Sequence, residues 1–352
     1  MIQGGKVRTI GRVSAVLALL AGSSFGPRWT HAETVPAQKL RQNLFYSCFV
    51  SAEEGWVVGD LGMIFHTTDG AKTWEIQRAG TKRPFVAVTC PERNRVWVAG
   101  QAGQIAHSRD QGRTWTFQES GTDRQLLDIV FVDSRRGLAV GDYGIILRTD
   151  NGGETWTRIP MPTEVKLPPD IAEVVQPGDV LLYKVAFANP EEVWIVGEFG
   201  VILHSSDGGL TWESQESPVE TTLFGVHFTD PLNGWATGIE STLIRTEDGG
   251  QTWRRVRIET PPDFFIPPGF SLSIYDVDVR GRVGWAVGDS GFLVNSTDGG
   301  KSWKMVRVPT ILRSSWLRDV NLLPTGQGYI VGARGTVLSV DTDRFTMLKQ
   351  RK

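Results

Sequence analysis

The chain has 352 residues, 40% of them hydrophobic, which is enough to bury one large all-β core or two smaller ones. Its 37 basic and 39 acidic residues nearly cancel to a formal charge of -2 and form no long block of one sign. That excludes a basic stripe tracking phosphates, and with it nucleic acid as a partner.

In chain order, residues 1–32 read as a secretory signal. Lys6, Arg8 and Arg12 precede an apolar run from Val13 to Ala21, and Thr30-His31-Ala32 offers a cleavage site, so the mature chain is expected to begin near Glu33. The apolar run falls short of the roughly 18 residues that a membrane span needs. No cysteine follows it to carry a lipid. A periplasmic or secreted protein is the expectation.

From there the chain repeats. The octets TTDGAKTW (67–74), SRDQGRTW (108–115), TDNGGETW (149–156), SSDGGLTW (205–212), TEDGGQTW (246–253) and STDGGKSW (296–303) share one pattern, and SVDTDRFT from Ser339 is a seventh, degenerate copy. Upstream of each lies a string such as GWVVGDLGMIFH or VWIVGEFGVILH, seven in all. The period is 41, with additions of 15 and 9 residues, and seven units fill residues 41–350 without room for a second domain. Each unit reads as four short strands, and units of this length are the mark of propeller blades. The expectation is an all-β, seven-bladed propeller over 33–352, its four-stranded antiparallel blades beginning near Leu44, Arg83, Arg124, Val180, Thr222, Ser271 and Ser315. Residues 34–40 are candidates to pair at the rim, and Phe345 to Gln350 is a weak last strand.

The octet is the hairpin between third and fourth strands. Asp69, Asp110, Asn151, Asp207, Asp248 and Asp298 accept backbone N–H groups in the turn, a glycine supplies positive φ, and Trp74, Trp115, Trp156, Trp212, Trp253 and Trp303 cover the hairpin. Five further tryptophans (Trp56, Trp97, Trp194, Trp235, Trp285) recur on second strands, so blade packing explains most of the 13 and a carbohydrate platform is disfavoured. These octets resemble the Asp-box, or bacterial neuraminidase repeat. Joined to the W-x-V-G-x-x-G strings, they are similar to the photosystem II stability and assembly factor family. The resemblance implies a lumenal or periplasmic seven-bladed propeller, without cofactor, that binds a protein during assembly of a membrane complex.

Other chemistry has a weaker footing in the sequence. A glycoside hydrolase needs two carboxylates across one pocket, and octet aspartates on separate blades do not converge; carboxylates gathered in the central pocket would favour this alternative. A third reading is an accessory protein of an envelope transport system. His66, His107 and His204 share a repeat position on different blades, too dispersed for a metal. Asp60, Asp142, Glu198 and Asp289 follow the V-G of their blades and either favour the turn or form an acidic ring. Cys48 and Cys90 lie 42 apart on the first strands of neighbouring blades and are either bonded or both buried as thiols. The two additions, 161–180 and 260–270, connect blades on one face. Within the second, Phe264, Phe265 and Ile266 either dock a partner or fold back over the blade ends. A monomer is expected.

Overall fold

The computed structural model describes residues 34–265 and 271–348; the expected leader (1–32) and Ile266 lie outside the described residues. The strands form seven antiparallel sheets, ordered innermost to outermost as the chain runs, with almost no helix. The innermost strands are Leu44–Phe49, Phe85–Glu92, Leu126–Phe131, Leu182–Phe187, Leu223–Phe228, Ile274–Arg280 and Leu317–Leu322. They start up to three residues after the expected blade starts, because the residues before them are held in the connections described next.

Both faces of the disc are sewn by repeated backbone bonds. On one face, the residue opening each turn between second and third strands donates its N–H to the carbonyl just before the innermost strand, as in Asp60 to Asn43, Asp142 to Gln125 and Ala333 to Trp316. On the other face, five octets donate a glycine N–H to the turn between first and second strands, as in Gly70 to Glu53 and Gly208 to Glu191. The two additions lie on the first face, with the turns that carry Asp60 and Asp142.

Each innermost strand has a bulge after its first residue, between Leu44 and Tyr46 in blade one and between Leu317 and Asp319 in blade seven. A bulge re-aims side chains. Here it sends the second residue to the mouth of the central channel and the third into the interior.

Between blades, the second-strand tryptophans are fully or almost fully buried. Trp97, Trp235 and Trp285 donate their indole N–H to the carbonyls of Gly152, Gly300 and Asp341 in the next blade. Fourth-strand glutamines do the same from the rim: Gln77, Gln118 and Gln215 bond the octet carbonyls of Gln111, Gly152 and Gly249.

Blade seven completes itself with Phe345–Met347, while Thr34–Pro36 adds a fifth, antiparallel strand to the outer edge of blade one. The ring therefore closes by side-by-side contact. The backbone N–H groups of Ser47 and Phe49 donate to the side chains of Asp319 and Asn321, and the rings of Phe49 and Tyr329 stack at 4.0 Å. Just before the second addition, Ile258–Glu259 forms a short parallel strand on the edge of blade six.

Candidate functional site

The channel mouth on the face bearing the additions is an aromatic cup. Second-position residues Phe45, Tyr183, Phe224 and Tyr275 line it with Trp316 and Arg318, around a cavity of about 300 Å³. Phe45 stacks on Trp316 at 6.1 Å, Tyr183 meets Phe224 edge-on at 5.0 Å, and the Arg318 guanidinium sits 4.6 Å from the Tyr275 ring centre. The Tyr275 hydroxyl donates to Asp289 at 2.6 Å, and burial together with that carboxylate pushes its pKa up to about 12.

Below the cup lies a buried polar hub built by third-position residues of five blades: Tyr46, Asp128, Lys184, Asp276 and Asp319. Lys184 Nζ bonds Asp276 Oδ1 at 3.0 Å and stands 4.1 Å above the Tyr46 ring. Each aspartate also accepts a backbone N–H from the next blade, Asp128 from Val185, Asp276 from Val320 and Asp319 from Ser47. Burial opposes the charge on Lys184, but the surrounding aspartates and Tyr46 outweigh it and hold the ammonium well above its usual range. Burial pushes Asp128 up, and burial with Asp276 pushes Asp319 well up. Carboxylates thus do gather on the axis, though they are not the octet ones. Asp128, Asp276 and Asp319 are almost wholly buried, and their bonds tie blades together. Sequence reasoning missed this cup and hub. The available signal was the second and third residues of the innermost strands, the second aromatic in four units and the third charged in four.

Residues 79–149, 117–217 and 210–315 match the sequence profile of photosynthesis system II assembly factor YCF48. The chain belongs to this family. Among solved structures, YCF48 bound to a D1 peptide is similar at 19% identity, with 88% of this chain and 95% of that one covered and a TM-score of 0.65. YCF48 from Cyanidioschyzon merolae is 20% identical, with 89% and 99% covered and a TM-score of 0.66. A GH74 xyloglucanase from Xanthomonas campestris also matches, at 12% identity, 90% and 56% coverage and a TM-score of 0.67. At these identities the structures share the fold alone. A comparison with curated protein sequences finds no match.

In this YCF48-family chain the octets are closed units. Asp207 Oδ1 accepts the N–H groups of Leu210 and Thr211, and Oδ2 accepts the Thr211 hydroxyl at 2.6 Å. Burial is slight and opposes ionisation, and these bonds overcome it to lower the Asp207 pKa to about 2. Asp69, Asp110, Asp248 and Asp298 are bound in the same way and likewise lowered, and Asn151 bonds Thr155 in their place. Trp74, Trp212, Trp253 and Trp303 are buried, whereas Trp115 and Trp156 are half-buried. Ala71, which replaces the glycine of the other octets, keeps the left-handed backbone at φ 62°.

The remaining candidates are dispersed. His66, His107 and His204 each stack on their own blade's tryptophan, at 4.5, 4.0 and 4.6 Å, and burial lowers His107 to about 4. Asp60, Glu198 and Asp289 accept the N–H groups of Asn43, Leu181 and Ser273, tying each turn to the adjoining connection. Phe264 turns inward, 6.2 Å from the ring of Phe292, while Phe265 is 73% exposed. Cys48 and Cys90 form a disulfide with Cα atoms 5.9 Å apart. Among the described residues no group of His, Cys, Asp or Glu is placed to hold a metal ion.

Proposed function

We propose that this chain is an exported, non-enzymatic assembly factor whose aromatic cup holds a short segment of a protein belonging to a membrane or envelope complex. The observation that carries the reading is the cup itself: a concave, ring-lined mouth with Arg318 at its wall, above a hub in which Lys184 is paired with Asp276. Concave apolar sites with a few placed polar groups are the usual seat of recognition, and rigid aromatic walls bind at small entropic cost. Family membership supports an assembly role, and the related YCF48 that binds a D1 peptide supports a polypeptide as the guest.

The hydrolase alternative gains little from the axial carboxylates. Asp128 and Asp319 do not line the cup, and Asp276, which does, is held by Lys184 and the Val320 N–H. A general acid must reach the scissile oxygen.

The test is affinity capture from envelope fractions with the parent chain and with Phe224→Ala/Arg318→Glu. The reading expects one dominant membrane or envelope protein, lost with the variant while thermal stability holds. Undiminished capture by the variant, or release of sugar from xyloglucan by the parent, contradicts it.

A further inference from the structure

Both faces of the disc expose single apolar side chains, Leu210 and Leu232 on the octet face among them. Leu61, at the apex of a turn in blade one, is 57% exposed; Phe265 and Ile311, on connections into blades six and seven, are 73% and 41% exposed. All three lie on the cup face. Single exposed apolar residues are ordinary on any protein, so their charge context decides what they mean.

That context is basic. Arg41, Lys82, Arg83 and Arg124 are exposed on the connections entering blades one, two and three, and Arg313 lies two residues from Ile311. Along this arc Asp60 and Asp289 accept backbone N–H groups and keep their charge, Asp263 is paired with Arg307, and Glu119, Asp123 and the half-buried Asp142 surround Arg124, so the basic excess lies over blades seven, one and two, where Arg313, Arg334, Arg41, Lys82 and Arg83 face Asp60. The connection between blades three and four is the reverse, with Glu164, Asp170, Glu173 and Asp179 against Lys166. The face is therefore polarised in charge, basic over blades seven, one and two, where Leu61 and Ile311 lie, and acidic on the connection between blades three and four, where Val174 is exposed among carboxylates.

We propose that the basic arc of the cup face rests on an anionic phospholipid bilayer. Leu61, Phe265 and Ile311 enter the headgroup layer, Arg41, Lys82, Arg83 and Arg313 meet lipid phosphates, and the acidic connection is held off the surface. Stable peripheral binding takes two signals, buried apolar area and basic charge, and this arc carries both. The cup then opens toward the membrane. The inference rests on the face and not on the guest of the cup, so either can fail alone.

The test is flotation of Glu33–Lys352, the compact unit that contains all seven blades, with the apolar leader removed because it would bind lipid by itself. Phosphatidylcholine vesicles with and without phosphatidylglycerol serve as probes. The parent should float with the anionic vesicles and hardly with the neutral ones. Lys82→Gln/Arg83→Gln should lower partitioning by about thirtyfold, and Phe265→Ser/Ile311→Ser should lower it too, both with unchanged melting because these side chains are exposed. Failure of the parent to float with anionic vesicles, or flotation of both variants like the parent, overturns the proposal. Arc-dependent capture of a membrane protein without lipid binding would assign the arc to that protein instead.

Discussion

Cys48 stands in blade one where Asn321 stands in blade seven: both are fifth on their innermost strands, and both reach the sixth residue of the next blade. Asn321 does so by accepting the N–H of Phe49, and Cys48 by its disulfide to Cys90. Asp278 and His227 repeat the gesture, toward the Leu322 N–H and the Val279 carbonyl. The disulfide is thus a covalent version of a blade-to-blade staple that the fold also makes with hydrogen bonds.

Thiol titration of the native protein should find no free thiol before reduction. Because blade one is also held to blade seven by Asp319, Asn321 and Tyr329, Cys48→Ser/Cys90→Ser should still fold, losing about 2–4 kcal/mol by the usual measure of a disulfide. A melting curve against the parent checks both statements, and two titratable thiols in the native parent would refute the first.

The octet aspartates should act on stability and nothing else. A carboxylate whose folded pKa lies below its unfolded value contributes stability that is present above the unfolded pKa, roughly 4, and is lost as pH falls through the folded value. For Asp207 that window runs down to about 2. Lying at the surface and only half-buried, it is worth about 1 kcal/mol after screening. Asp207→Ala should therefore lower the melting point slightly at neutral pH and converge on the parent in strong acid.

The hub gives a larger effect of different sign. Lys184→Met leaves Asp276, Asp128 and Asp319 without their cation in a buried site, a change that costs about 3–5 kcal/mol. Acids whose folded pKa is raised stabilise most below the unfolded pKa, and lose that contribution as pH climbs through the folded one. Denaturant titrations should thus show the variant recovering as pH falls from neutral toward 5. A deficit that does not change with pH would mean that the aspartates are not the cause.

The second addition separates into two roles. Phe265→Ser should change stability by less than about 0.5 kcal/mol, whereas Phe264→Ser, which removes a ring from the blade six core, should cost about 1–3 kcal/mol. Equal effects in denaturant titration would contradict the inward placement of Phe264.

The repeat made the architecture legible: octets at a fixed period fixed the number of blades, the faces of the connections and the closed hydrogen bonding of their turns. The cup was not legible, because Phe45, Tyr183, Phe224 and Tyr275 look like ordinary alternation in single strands and become one site only when a bulge turns them to a shared axis. Lys184 and its three aspartates were hidden for the same reason. Whether Cys48 met Cys90 depended on which faces neighbouring blades present, which spacing alone left open. Phe264 and Phe265 were indistinguishable in sequence because proline-rich connections have no periodicity to assign an inside.

The most direct test of the account replaces Phe224, in the cup, or Leu210, on the octet face, with a photo-crosslinking amino acid in cells that make the protein. The cup position should yield a discrete adduct with one membrane or envelope protein, and the octet-face position none. An adduct from Leu210 alone would place recognition on the octets and contradict the claim that they are architecture and the cup is the site.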